Sequence, residues 1–401
     1  MGIVKRIYEK ITFILGCRHS LANVMLCEDY AKQYGSVCEY HLIESNRSTI
    51  VSPAQFINET AVKPFETSMP DTYWMKFVNG SVIGGSSIVV SDENIILYDM
   101  LANRKIYNAN MTDNGLLLLG GNPKHIGNRF IYNYRRKGIT SLPSAISLAC
   151  NMSNNYYHFM LQVAARFYLL SKTGLDKKIP LIVDEAVLFT PQMKEVIDVL
   201  NVDNRAIVSI KKNQLFRVKE LYILSEPNVI VPNTFANSER RTENFAFDKN
   251  VLVYLKTTIN DRISECDMDF PKRVFLSRKK CNKRRCNEEE LMDILKQFGF
   301  KSIETDEMSI SEQIALFSNA EHIIGGSGAA FTNLIYCKKS ANATLFFTGH
   351  HNITCFSALG ICLGVNTYYT YPETEGREIH MDYYRINPNT ISNHLKSIYR
   401  E

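Results

Sequence analysis

The chain has 401 residues, 45% of them hydrophobic and 22% charged. That composition belongs to a folded globular protein and excludes a disordered or low-complexity one. With 46 Lys and Arg against 41 Asp and Glu the formal charge is +5, too small an excess, if evenly spread, to argue for a nucleic-acid partner.

Residues 1–16 are basic and apolar, with Ile3, Ile7, Ile11, Ile14 and Leu15 on one side of a helix. They are too short to span a bilayer and suit either a membrane surface or docking onto the chain's own domain. Residues 17–70 carry no readable pattern. From Asp71 to Tyr134 the pattern is that of strands, with Asn79-Gly80 between apolar flanks predicting a hairpin.

After Ser144 short apolar runs alternate with helix-length segments. Ala145–Cys150, Ile179–Val183, Ala206–Ile210 and Leu221–Leu224 read as strands. Asn154–Thr173 reads as a helix stopped by Gly174, and Thr190-Pro191 opens another. The alternation predicts a mainly parallel sheet. Residues 225–271 form a junction with a polar stretch at 237–244 and a helix around Val251–Ile263. A second series then begins: strand Arg273–Ser277, a helix capped by Asn287 and ended by Gly299, and strand Lys301–Glu304. A capping box at Ser309 and Glu312, strand His322–Ile324, strands at Leu345 and Thr367 and a terminal helix Asn389–Tyr399 complete it. The expected organisation is an N-terminal segment 1–70, a β-rich and Rossmann-like domain 71–240, and a second Rossmann-like domain 241–401.

The ten cysteines form no CxxC pair, and no secretory signal stands at the N-terminus, so a reducing, cytoplasmic setting is expected, with peripheral contact at the inner face of a membrane through residues 1–16. No paired carboxylates at a strand end indicate a metal site; Asp267 and Asp269 fall in the junction.

Three features carry chemistry. His322–Asn333 is a hydrophobic strand running into a glycine-rich turn (Gly325, Gly326, Ser327, Gly328, Ala329) and a helix bearing Thr332 and Asn333. Such a turn suits a phosphate, or equally a tight strand–helix packing. Lys272–Arg285 holds eight basic residues and no acidic one, after a strand where open α/β sheets bind ligands. Arg and Lys side chains between Arg278 and Arg285 could neutralise a diphosphate, one or two of them touching ligand and the rest solvated. Asn154–Gln162 opens a helix with His158, a candidate general base or a satisfied structural histidine. Asp184-Glu185 is an alternative base, and His350-His351 would line the same site.

These features together resemble glycosyltransferase family 61. The resemblance rests on Phe275–Arg278, Arg285 with Asn287-Glu288, Gly299-Phe300, Met308 through Ile314, Phe317, Ala320, Ile323–Gly325, Gly328–Asn333, the Asn155–Phe159 motif and the lead-in Asp71–Asp99. It departs at Ser327, where the family usually has histidine, and at Phe159, where it has tryptophan. The resemblance implies a GT-B-like α/β fold, with two Rossmann-like domains and the active site between them. It implies inverting transfer of a sugar from a nucleotide-sugar donor to a hydroxyl of a glycan, lipid-linked glycan or protein, without a metal or other cofactor, in surface or capsular polysaccharide or glycan assembly. In that frame His158 is the base. Arg278, Arg285, Asn287, Gly325, Gly326, Ser327, Gly328, Ala329, Thr332 and Asn333 bind donor, and Glu312 holds the ribose. The alternative is a non-catalytic nucleotide- or anion-binding protein on the same fold; a nucleic-acid binder ranks last.

The charge has a location. Taking the eight basic residues of 272–285 from the 46 leaves 38 against 41 acidic residues, so the remainder of the chain is slightly acidic. One concentrated basic loop favours a phosphate-bearing small molecule over a long polyanion.

Overall fold

The structure, a computed structural model, describes residues 16–103, 113–119, 122–231, 242–281, 284–347, 354–373 and 383–399. The expected helix face in residues 1–15, most of the polar stretch 237–244 and His350-His351 lie outside them. The chain divides into two compact units, Met1–Arg47 with Pro70–Glu239, and Ser48–Met69 with Arg240–Glu401. Both are mixed α and β.

The first unit is built on one large sheet. In chain order its strands are β1 Cys17–Met25, β2 Cys38–Glu44, β3 Thr72–Ile83, β4 Val89–Val90, β5 Ile95–Leu97, β6 His125–Ile126, β7 Arg129–Arg135, β8 Thr140–Ser147, β9 Leu181–Asp184, β10 Ile207–Ile210 and β11 Leu215–Leu224. They lie in the order β6-β7-β1-β5-β4-β3-β11-β8-β9-β10, with β2 also paired to β3. The run β11-β8-β9-β10 is parallel, as the alternation of strands and helices predicts. It does not stand apart from the β-rich lead-in, because β11 pairs antiparallel with β3 along almost its whole length. The sheet is therefore mixed, and β11 begins at Leu215, six residues before the apolar run that announced it.

Asn79-Gly80 is not a hairpin turn. It lies inside β3, which keeps pairing with β11 on both sides of it, Val78 opposite Glu220 and Gly80 opposite Val218. Asn79 sits at φ 58°, a left-handed kink that asparagine tolerates. A side chain at Gly80 would collide with the Phe77 ring and Leu221. Two buried flanks that both belong to one strand look, in sequence, like the two arms of a hairpin. The core beneath joins Tyr30, Met75 and Phe77 to Phe216, Val218 and Leu221.

The second unit holds five parallel strands: β12 Arg273–Leu276, β13 Lys301–Ile303, β14 His322–Gly326, β15 Asn342–Phe346 and β16 Asn366–Thr370, in the order β13-β12-β14-β15-β16. The order reverses between β12 and β14, and a ligand crevice forms outside the carboxyl ends of strands at such a reversal. Helices α1 Lys249–Asn260, α2 Glu288–Leu295, α3 Ile310–Asn319, α4 Thr354–Leu363 and α5 Pro388–Tyr399 complete the unit. Helix α1 is capped by the Asp248 carboxylate and α3 by the expected Ser309–Glu312 box. Residues 48–69 join this unit as well: Tyr369 of β16 accepts a backbone hydrogen bond from Ile57 and donates one to Gln55. Phe275, Leu291, Leu295, Ile324, Phe346 and Leu395 form the core between sheet and helices.

Candidate functional site

At the reversal point, β12 delivers Ser277 and Arg278, and β14 delivers Gly326, Ser327 and Gly328. Glu288, buried in the first turn of α2, ties the first pair down. Its carboxylate accepts from Ser277 Oγ at 2.7 Å and from the Arg278 backbone N–H at 2.6 Å. The carboxylate is thereby turned to the loop backbone, and Arg278 is free to extend along the glycines.

The glycines are explained by what lies against them. A Cβ on Gly325 would meet Leu276 at 3.0 Å, so this glycine serves strand packing. One on Gly326 would stand 2.5 Å from the Tyr384 hydroxyl, and one on Gly328 would stand 2.6 Å from an Arg278 guanidinium nitrogen. The last two make room for polar side chains. Arg284, held at φ 56°, donates to the Ser327 carbonyl at 3.1 Å. Burial lowers its pKa and the adjacent positive charge of Arg278 lowers it further. The Arg278 Nε and the Tyr384 hydroxyl are buried and have no hydrogen-bond partner among the described residues. Burial pushes the Tyr384 phenol well above its usual pKa, which leaves it a neutral donor. Two guanidiniums that repel each other and two unpaired donors around a turn whose one side chain between the glycines is that of Ser327 form a cradle for an anion.

Other predicted residues have different work. Arg285 is exposed, and it is Arg284, its neighbour, that reaches the loop. Asn287 starts α2 without capping it; its amide exchanges hydrogen bonds with the backbone of Ile386 and bonds Glu290. Glu312 is engaged by the Ser309 N–H and hydroxyl in the capping box, which holds its carboxyl below the ordinary value. The Ser327 N–H donates to the Phe346 carbonyl of β15. Gly328 and Ala329 lead into a 3-10 helix, Ala329–Tyr336, rather than an α-helix. On it Thr332 is fully buried with an unpartnered hydroxyl, and Asn333 donates to Gln313 at 2.7 Å. Elsewhere in the basic stretch Lys272, Lys279 and Lys280 make surface ion pairs with Glu321, Glu289 and Glu304. Arg273 lies over the Tyr399 ring. Arg284 was visible in sequence only as one of eight; nothing local marked Tyr384.

In the first unit His158 ends the short helix Tyr156–His158, capped by Asn155, and runs into a π-helical segment, Phe159–Ala164. Such wide turns are frequent at functional sites. The His158 Nδ1 lies 2.6 Å from Gln162 Oε1. Gln162 Nε2 donates to Glu226 at 2.9 Å, and Glu226 pairs with Arg166 at 3.1 Å. A carboxylate paired with arginine accepts, so the amide turns its NH2 to Glu226 and its carbonyl to His158. A carbonyl accepts only, so Nδ1 carries the proton and Nε2 keeps its lone pair. Burial lowers the His158 pKa, with the Gln162 bond opposing. The result is a neutral imidazole in one tautomer. Asp184, the alternative base, is buried with its carboxylate held by the Gly85 and Cys150 N–H groups, and burial raises it to about 6. It reads as a clamp for two chain segments.

Residues 156–344 match the family model Glycosyltransferase 61. The matched stretch begins at the His158 motif and ends on β15. No curated protein matches the chain. The match supports the family that the motifs resemble, and that family implies glycosyltransferase activity. Among the described residues no helix is long and apolar enough to cross a membrane.

Proposed function

We propose that the protein is an inverting, metal-independent glycosyltransferase that moves a sugar from a nucleotide-sugar donor to an acceptor hydroxyl, in surface or capsular polysaccharide or glycan assembly. The observation that carries the reading is the cradle of Arg278, Arg284 and Tyr384 on the Gly326–Gly328 turn, at the strand ends where this topology binds nucleotides. In the reaction the acceptor oxygen attacks the anomeric carbon as the bond from that carbon to the diphosphate oxygen breaks. The hydroxyl proton passes to His158 Nε2. The electron pair leaves with the nucleoside diphosphate, whose charge the two guanidiniums and the phenol offset.

The test is binding of a panel of nucleoside diphosphates, read by thermal stabilisation and calorimetry. Arg278→Gln and Arg284→Gln are each expected to weaken the bound nucleotide about 10- to 100-fold, as loss of charge-assisted hydrogen bonds costs roughly 1.5–3 kcal/mol. Unchanged affinity in both variants removes the cradle from donor binding.

Gly328→Ala probes the same cradle by shape. The backbone there is extended (φ −177°), so alanine brings no backbone strain. The added methyl must displace the Arg278 guanidinium. Nucleotide affinity is expected to fall while the melting temperature stays close to that of the parent. A large loss of stability with affinity preserved would show that the glycine serves packing alone.

A further inference from the structure

The first unit holds a half-open cavity of about 250 Å³, all of whose lining residues belong to that unit. Its lining joins the apolar Val89, Leu97 and Ile223 to the polar Tyr73, Asp99, Arg166 and Glu226. Asp99 is oriented by the Tyr73 hydroxyl at 2.6 Å and the Cys27 N–H at 2.8 Å. Arg166 is buried (5% exposed). Its two terminal nitrogens bond Glu226 and the Ala149 carbonyl, and its Nε is left without a partner.

The charge of the lining decides the ligand class. Among the described residues that line it, Glu28, Asp71, Asp99 and Glu226 are acidic and Arg166 alone is basic, a balance that disfavours an anion such as a nucleoside diphosphate. A cationic amine satisfies the carboxylates but is repelled by the Arg166 guanidinium. A neutral sugar suits both kinds of lining: its hydroxyls donate to carboxylates and accept from the guanidinium, and its C–H groups meet apolar side chains.

We propose that this cavity binds one neutral sugar residue, with Asp99 and Glu226 accepting its hydroxyls and Arg166 donating to it. That the sugar belongs to the acceptor rests on the glycosyltransferase reading; that a sugar binds does not.

The experiment titrates the full chain with a panel of neutral methyl glycosides, read by saturation-transfer NMR and calorimetry, with tetramethylammonium as the cationic probe and nucleoside diphosphates in parallel. At least one glycoside is expected to bind, and Asp99→Asn to weaken it about tenfold, as loss of a charged acceptor does. Because Asp99 also holds Tyr73 and Cys27, Val89→Phe provides a second variant that fills the cavity and leaves every polar group in place; it is expected to abolish glycoside binding. Neither variant is expected to change nucleotide affinity. Absence of binding by every glycoside, equal binding to Val89→Phe, or occupation by tetramethylammonium in preference to sugars would overturn the proposal. Glycoside binding in a chain that binds no nucleotide would leave it standing and remove the transferase reading instead.

Discussion

His158→Ala is expected to lower sugar transfer by about 10²- to 10⁴-fold, the usual worth of a positioned general base, with nucleotide affinity unchanged. The expectation follows from the hydrogen-bond relay behind the ring. Glu226 sets the Gln162 amide, the amide sets the imidazole tautomer, and Nε2 keeps its lone pair. Because burial lowers the His158 pKa from 6.5, the base form persists to lower pH than a free imidazole would allow. The acid limb of kcat/KM is therefore expected to have its midpoint below 6.5. Gln162→Glu presents a carboxylate to Nδ1, stabilises the imidazolium and is expected to move that limb upward. Full transfer activity in His158→Ala, or an acid limb that ignores Gln162→Glu, would take His158 out of the reaction.

A second large effect is on stability and lies in the second unit. His322 on β14 and His394 on α5 are both buried and share the Thr344 hydroxyl, at 2.9 and 3.2 Å; His322 also bonds the Tyr399 hydroxyl at 3.0 Å. Burial, and for His322 also the neighbouring His394 and Arg273, lowers their pKa values to about 3 and about 4. The unfolded chain binds these protons near the ordinary value of 6.5, and the folded chain does not. The stability they contribute is thus complete above pH 6.5 and is lost as pH falls from there toward 4 and 3. The loss between pH 7 and 4.5 is expected to be several kcal/mol, since each shifted unit is worth about 1.4 kcal/mol. Denaturant midpoints measured across that range should fall steadily, and His394→Gln should flatten the slope. His158 adds to the slope with the same sign, so the difference between parent and His394→Gln isolates the α5 contact. Asp184, raised to about 6, opposes the slope, so the deciding comparison is the difference: equal slopes in the parent and His394→Gln from pH 7 to 5 would contradict the assignment.

Local features were legible in the sequence because their causes are local. The alternation of strands and helices, the Ser309–Glu312 capping box, the glycine turn after β14 and the stop at Gly174 each follow from a few adjacent residues. So was the concentration of positive charge between Lys272 and Arg285. What failed to show had causes distant in the chain. Asn79-Gly80 has the composition of a turn, and only the long pairing with β11 keeps it inside a strand. Arg278 and Arg284 differ from six other basic residues by position alone. Tyr384 reaches Gly326 because residues 383–384 pair with Arg285–Cys286, a contact no local pattern records. Residues 48–69 carry no pattern because their place is decided by β16, more than 300 residues away.

The sequence by itself determined the mixed α/β class, the order of its elements and the glycine-rich turn at the end of β14, since hydrophobic period and turn chemistry are properties of short segments. Tertiary structure decided which side chains those elements present to one another. In sequence the glycines at 326 and 328 suit either a phosphate or tight packing; in the fold they make room for Tyr384 and Arg278. The charge of +5 likewise became two guanidiniums on one turn in the second unit and, in the first, a cavity of the opposite character. Pairing, burial and desolvation set both, and these arise only when distant segments pack.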